Sequence, residues 1–138
     1  MVEFNSPIGE KILIRLKQEA VIWLTTVDAK NRPQPRPVWF YWDGETVLVF
    51  SQSDAAKVRH IQHNPAVALN FNTSPDGGDV GVLIGTAEVL PSPPPPQHMA
   101  AYIEKYQQGI QDINMTVESF RDEYSIAIRI TPQAIRGF

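Results

Sequence analysis

The chain has 138 residues, of which 43% are hydrophobic and 20% charged, a size and composition typical of one soluble globular domain over residues 1–138. Its net charge of −3 lacks the basic surplus on which nucleic-acid binding depends, and the lack of cysteine excludes disulfides, thiolate metal ligands and cysteine nucleophiles. No apolar run approaches the ~20 residues that span a bilayer, and the first residues do not resemble a signal peptide, so we expect a cytoplasmic protein that binds no nucleic acid and no membrane.

The first predicted element is a helix over residues 7–19. Ser6 is a residue type that caps helix N-termini, and Pro7 suits the first helical position. Residues 21–27, VIWLTTV, are rich in β-branched and aromatic side chains and predict the first strand. The helix is expected to bury an apolar stripe that repeats every four residues, at Ile8, Ile12, Leu16 and Ala20.

Residues 35–42, PRPVWFYW, predict a second strand that is apolar on both faces. Alternation sends Trp39 and Tyr41 to one side and Phe40 and Trp42 to the other. Because one core cannot cover both sides, we expect one face to meet a ligand or a partner molecule. The alternative is a well-filled core that uses all four rings.

Asp43-Gly44 is a strong hairpin signal, and it predicts that residues 45–51 return as the third strand. A helix follows and ends near Asn64-Pro65. Six strands, mostly in hairpin order, favour an antiparallel sheet that closes into a small barrel without exposed edges. The later elements are strands over 66–72, 80–90 and 125–131, an extended proline connector over 91–96, and helices over 98–108 and 117–123, the last one capped by Thr116.

The segment 51–61, SQSDAAKVRHI, places two serines and a lysine where a strand passes into a helix. If Ser53 is the N-cap, the free N–H groups of the first turn and the helix dipole place partial positive charge there. Lys57 lies one turn into the helix, and Ser51 and Arg36 lie on neighbouring strands, so these groups together suit an anion of phosphate size. The alternative is an ordinary capped helix with a solvated lysine.

Other signs of catalytic chemistry are weak. His60 and His63 share a helix face but lack a third ligand, so we expect no metal site. The chain contains no GxSxG, P-loop or GxGxxG motif. No acid–base pair or activated nucleophile stands out, and the catalytic residues are left unassigned.

Three motifs occur in order along the chain. R-P-V-W-F-x-W-D-G fills residues 36–44, A-K-V-R-x-I fills 56–61 behind a serine-rich strand end, and Asn64-Pro65 ends the helix before an alternating strand. Together with the closing segment 119–138, SFRDEYSIAIRITPQAIRGF, they resemble the flavin-binding split β-barrels, the pyridoxamine 5′-phosphate oxidase-like proteins. The resemblance is closest to the small F420-dependent reductase branch of that family and covers residues 23–138.

The resemblance implies a mainly β fold with peripheral helices: a six-stranded antiparallel split β-barrel that works as a homodimer. It also implies FMN or F420 as cofactor, bound in a groove between the two subunits. Arg36, Ser51 and Lys57 match positions around the cofactor phosphate, and the backbone of Val38 and Trp39 matches positions along the ring. The full set of expected cofactor-binding residues is Arg36, Val38, Trp39, Tyr41, Phe50, Ser51, Ser53 and Lys57.

The implied activity is hydride transfer from a flavin or deazaflavin ring to a small organic acceptor. Trp39 and Tyr41 are expected to shape the substrate side, with no side chain acting as an essential acid. Ala56 and Tyr41 stand where the oxidase proper carries basic residues, which favours the reductase-like branch over pyridoxamine phosphate oxidation. The alternative is a non-catalytic flavin, deazaflavin or haem-binding module, with His60 or His63 as the haem ligand.

Overall fold

The computed structural model describes residues 2–138, in which seven strands form one antiparallel sheet and four helices pack against it. The strands are β1 (Ile22–Val27), β2 (Pro33–Val38), β3 (Tyr41–Trp42), β4 (Val47–Ser51), β5 (Ala66–Asn70), β6 (Gly81–Val89) and β7 (Ile126–Gly137). The helices are α1 (Pro7–Gln18), α2 (Ala56–His63), α3 (Pro96–Asp112) and α4 (Val117–Glu123). No helix in this part of the chain is long and apolar enough to cross a membrane.

The strand predicted over residues 35–42 is two strands, so the sheet has seven strands where six were predicted. β2 pairs with β1, whereas β3 pairs with β4. In the strand order β2-β1-β5-β6-β7-β4-β3 these two lie at opposite edges, yet only Trp39 and Phe40 separate them along the chain. The sheet therefore curls until its edges come within about 11 Å of each other, the reach of three Cα steps.

The backbone leaves the sheet at Phe40 because α3 supplies its hydrogen bonds. The Phe40 N–H donates to the Tyr106 hydroxyl at 2.8 Å, and the Phe40 carbonyl accepts from the Lys105 ammonium at 2.8 Å. The Tyr106 hydroxyl in turn donates to the Ala20 carbonyl at 2.7 Å. The polar backbone groups of Phe40 are thus satisfied without a partner strand, which allows the strand to break here.

Local signals set several boundaries as predicted. At the start of α1, Ser6 Oγ accepts from the Gly9 N–H at 3.0 Å. The Asp43 carboxylate accepts from the backbone N–H groups two and three residues ahead, which closes the turn between β3 and β4. Thr116 and Ser119 form a reciprocal capping box at the start of α4. Each of these devices acts within four residues, which is why the sequence reveals it.

Two apolar clusters lie on the two sides of the sheet. Along β4, Val47 and Val49 belong to the first cluster, which also holds the buried residues of α1 and α2. Leu48 and Phe50 belong to the second cluster, which is completed by α3 and α4. Both faces of β4 are therefore covered, and all five of its residues are buried.

The aromatic segment that follows β2 is divided in the same way. Phe40 and Trp42 are buried in the first cluster, whereas Trp39 and Tyr41 pack against the second. The chain's own helices α3 and α4 therefore cover much of the face that the sequence assigned to a ligand or partner. Trp39 remains half-buried at the border of this cover, where a groove begins.

Candidate functional site

A groove of about 360 Å³ opens where β2, the end of β4 and the start of α2 meet the helices α3 and α4. One cationic side chain, Lys57, stands at this groove, together with the amide of Gln52. Such a groove suits a planar aromatic molecule that carries an anionic group. Half of the lining residues are aromatic and form one wall, Trp39, Phe50, Tyr102, Phe120 and Tyr124.

The aromatic wall is held together by ring contacts. Trp39 stacks on Tyr106 with ring centroids 4.6 Å apart and planes 3° from parallel, and its other neighbour, Phe120, lies 5.8 Å away. Phe120 stacks on Tyr124 at 4.6 Å. Such packing fixes the wall before any ligand arrives, because each ring restricts the rotamers of the next.

The position of Trp39 depends on α3. Tyr106, on which Trp39 stacks, also bonds the neighbouring backbone of Phe40 and stands where α3 is kinked (φ −109°, ψ 15°). The Lys105 ammonium lies 3.8 Å from the centroid of the Phe40 ring. Partial burial lowers the pKa of Lys105 to about 8. Two consecutive residues of α3 thus hold the strand break and, through it, the groove wall.

Within the described part of the chain, no acidic side chain pairs with the cationic end of the groove. Burial of Lys57 and the nearby Arg36 guanidinium both lower the pKa of the lysine. Neither side chain takes part in the ion pairs formed by residues 2–138. Two close cations without a carboxylate are stabilised by a bound anion, so this end of the groove fits a phosphate.

The start of α2 differs from the prediction, because Ser53 is not its N-cap. The Ala55 N–H donates to the Gln52 carbonyl at 3.3 Å, which makes a turn with Ser53 and Asp54 at its centre. The helix begins only at Ala56, with Ala55 as a cap that offers no side-chain hydrogen bond. The Val58 N–H donates to the Ala55 carbonyl at 3.1 Å, but the helix N-terminus beside Lys57 has no side-chain cap. Its partial positive charge therefore adds to that of the lysine.

The structure brings together four of the eight predicted site residues, Val38, Trp39, Phe50 and Lys57, in this groove. Arg36 is exposed and acts on Lys57 through its charge. The remaining three residues lie elsewhere. Ser51 is 1% exposed and donates to the Gln52 carbonyl, Ser53 is exposed in the turn, and Tyr41 lines a separate groove beside Lys105.

Sequence reasoning missed the part of the wall that the second half of the chain contributes. Tyr102 comes from α3, Ile113 from its C-terminal end, and Phe120 and Tyr124 from α4 and its C-cap. A usable signal was present, because Phe120 and Tyr124 are four residues apart and so share one helix face. Gln52 was also missed; its amide donates to the carboxylate of α4 residue Glu123 at 2.7 Å across the rim.

The two histidines lie in a different place. His60 and His63 line a groove of about 590 Å³ between β2 and α2, among the cations Lys30, Arg32 and Arg59. The His60 Nδ1 lies 2.8 Å from the hydroxyl of buried Thr26. Within the described residues no group of three histidine, aspartate or glutamate side chains is arranged to hold a metal ion.

Comparison with known proteins identifies the family to which the sequence is related. The family profile described as pyridoxamine 5′-phosphate oxidase matches residues 8–138. No curated protein matches the sequence.

Solved structures resemble the fold over most of its length. A candidate pyridoxamine 5′-phosphate oxidase from Listeria innocua is 25% identical, with a TM-score of 0.66 over 92% of this chain and 94% of that one. An F420 reductase is also 25% identical, with a TM-score of 0.64 over 88% and 92%. HutZ, a haem storage protein from Vibrio cholerae, is 17% identical with a TM-score of 0.71 over 96% and 95%, a likeness of fold alone.

Proposed function

Because the chain belongs to the pyridoxamine 5′-phosphate oxidase family, we propose that it is an oxidoreductase that binds FMN or F420 and transfers a hydride to a small organic acceptor. The observation that carries this proposal is the groove itself, which joins an aromatic wall to Lys57. Arg36, on the wall of the histidine groove, lies near enough to lower the pKa of Lys57, and among residues 2–138 neither cation forms an ion pair with a carboxylate. The likeness to an F420 reductase at 25% identity supports the deazaflavin alternative.

The ring of the cofactor fits the aromatic end of the groove. Val38 ends β2, Trp39 follows it, and Phe50 lies near the end of β4; all three line the groove. A flat ring placed between these residues exchanges water for apolar and aromatic contacts on the protein. Tyr102 stays neutral there because burial and the neighbouring Tyr106 raise the pKa of its hydroxyl.

The phosphate of the cofactor fits the cationic end. Lys57 and Arg36 supply the charges, and the uncapped start of α2 supplies backbone N–H groups. A bound phosphate would also raise the pKa of Lys57, because it compensates the burial and the repulsion that lower it.

The protein's part in the reaction is binding and orientation. When bound, a reduced flavin or deazaflavin supplies the hydride. The wall around Trp39, which is fixed by the stack on Tyr106, excludes water from one side of the ring and holds the ring in one orientation. Among residues 2–138 no carboxylate or histidine lines the groove, so we assign no side chain as the acid, and solvent supplies the proton.

We further propose that the working form is a homodimer in which a second copy covers the groove. Ile113 is 46% exposed at the groove, and most of β2 is exposed beside it. Exposed apolar surface around a binding groove is typical of an interface. The partner copy would complete the walls that one chain leaves open.

The test is titration of the purified protein with FMN and, separately, with F420, followed by fluorescence. We expect micromolar or tighter binding of one cofactor, and oxidation of its reduced form when an organic acceptor is added. Lack of binding by both cofactors would contradict the proposal.

A non-catalytic binding module is the second candidate, and the lack of an acid–base side chain at the groove favours it. It predicts cofactor binding without oxidation by any acceptor. A haem-binding form of this module would use His60, since the Thr26 hydroxyl beside its Nδ1 leaves Nε2 as the free ligand atom. Haem titration distinguishes it by a Soret band that is lost in His60→Ala.

A further inference from the structure

A second cleft, of about 300 Å³, lies beside the proline segment 91–94. Phe50 and Tyr124 line both this cleft and the aromatic groove, so the two adjoin. We propose that the cleft binds the hydride acceptor and that this acceptor is a planar, conjugated carboxylic acid. The inference rests on the proposed function of the neighbouring groove.

The walls of the cleft suit a flat apolar body. Pro94 is buried and Met99 half-buried, and the ring of Tyr124 is held by its stack on Phe120, with planes 17° from parallel. Pro91, Pro93 and Pro94 have a fixed φ and no N–H, so this wall is stiff and these three residues present no backbone donor. A preformed wall loses little conformational entropy when a rigid molecule binds.

The charge of the cleft comes from Arg121, in the last turn of α4. Among residues 2–138 no carboxylate forms an ion pair with its guanidinium. The nearby Glu123 carboxylate already accepts from the Gln52 amide. A free guanidinium presents parallel N–H donors that match a carboxylate, which gives the cleft its preference for an acid over a neutral molecule.

A conjugated acid bound in the cleft would lie next to the proposed cofactor groove and could accept a hydride from the cofactor. When its carboxylate is paired with the Arg121 guanidinium, that group can take up the negative charge that a hydride brings, so the hydride adds at the carbon β to the carboxylate. A proton from water then adds at the α carbon, the carbon–carbon π bond is lost, and the reduced cofactor is oxidised by two electrons. The products are the saturated acid and the oxidised cofactor.

The probes are 2-naphthoate and its uncharged analogue 2-naphthamide, titrated by calorimetry into the full chain without cofactor. We expect the acid to bind about two- to fivefold more tightly, the effect of one solvent-exposed ion pair with Arg121. Arg121→Gln should abolish this difference and leave binding of the amide unchanged. Arg136→Gln, at an exposed arginine of β7 that does not line the cleft, should preserve it.

Equal binding of acid and amide by the unaltered protein, or a preference that survives Arg121→Gln, overturns the proposal. Met99→Trp narrows the cleft and should weaken binding of both probes, while the affinity for FMN and F420 changes less than twofold. Unchanged binding of both probes to this variant, with an unchanged melting temperature, also overturns the proposal. Naphthoate binding by a protein that binds neither FMN nor F420 supports the carboxylate site and overturns the proposed function, so the two failures are distinguishable.

Discussion

Lys57 is a half-buried cation whose pKa is lowered by burial and by Arg36. Its ammonium forms no ion pair with another side chain of the described residues. We expect Lys57→Ala to remove one charge-assisted phosphate contact and to weaken FMN or F420 binding about ten- to a hundredfold. The melting temperature should change little, because no hydrogen bond or ion pair of the folded chain is lost. Fluorescence titration and thermal unfolding measure the two quantities.

The matched control for this change is Lys17→Ala, since Lys17 is exposed on α1 and does not line the aromatic groove. It should leave cofactor affinity within twofold. A large drop in stability with unchanged affinity in Lys57→Ala would assign the lysine a structural role and contradict the phosphate site.

Tyr106, unlike Lys57, is expected to stabilise the folded chain, because its hydroxyl forms hydrogen bonds with the backbone of Phe40 and Ala20. Tyr106→Phe keeps the stack on Trp39 but leaves the buried Phe40 N–H without its acceptor. We expect a loss of about 1–3 kcal/mol in the free energy of unfolding, the usual effect of an orphaned buried donor. Urea denaturation measures it, with Tyr41→Phe as the control because the Tyr41 hydroxyl accepts no such bond. Equal stability of the two variants would show that the strand break is held by packing alone.

Elements differ in how far their boundaries can be predicted. The ends set by Ser6, Asp43 and Thr116 were correct because each side chain bonds the backbone of its own turn. The break between β2 and β3 was not predictable, because its cause lies in hydrogen bonds to Tyr106, 66 residues further along the chain. A strand pattern shows which residues alternate, but it does not show where the partner strand ends.

The start of α2 was predicted only approximately, because the N-cap is Ala55 and not Ser53. A change at this N-cap tests the contribution of the helix N-terminus to phosphate binding. Ala55→Asp would give α2 the side-chain cap that it lacks, and Ala55 already has the extended backbone of an N-cap (φ −66°, ψ 141°). We expect the free energy of unfolding to rise by about 1 kcal/mol. The same carboxylate would occupy the helix N-terminus and repel a phosphate, so cofactor affinity should fall.

The opposite signs of these two effects make the result specific. Ala55→Ser is the matched control, since it can cap without adding charge and should stabilise the helix with a smaller loss of affinity. Unchanged cofactor binding in Ala55→Asp would place the phosphate away from α2.

At the scale of the whole molecule, the site is assembled from two distant parts of the chain. The first half contributes Val38, Phe50 and Lys57, which strand pattern and family resemblance identified. The second half contributes Phe120 and Tyr124 through helices that pack on the outer face of the sheet. Helix periodicity shows that these two rings share a face, but nothing local shows which face of the sheet they cover. Four of the ten residues that line the groove were therefore predicted, and the others needed the tertiary structure.

The proposed homodimer is tested on the same scale. Ile113 and Ile14 are exposed to similar extents, 46% and 52%, but only Ile113 lies at the groove. We expect sedimentation at twice the 15.5 kDa of one chain. Ile113→Asp should shift the protein towards monomer and weaken cofactor binding, because a buried charge at an interface is costly and the second wall of the groove is lost. The control Ile14→Asp should change neither the oligomeric state nor cofactor binding. A monomer produced by Ile14→Asp would place the interface on α1. An intact dimer in Ile113→Asp would place the interface away from the groove.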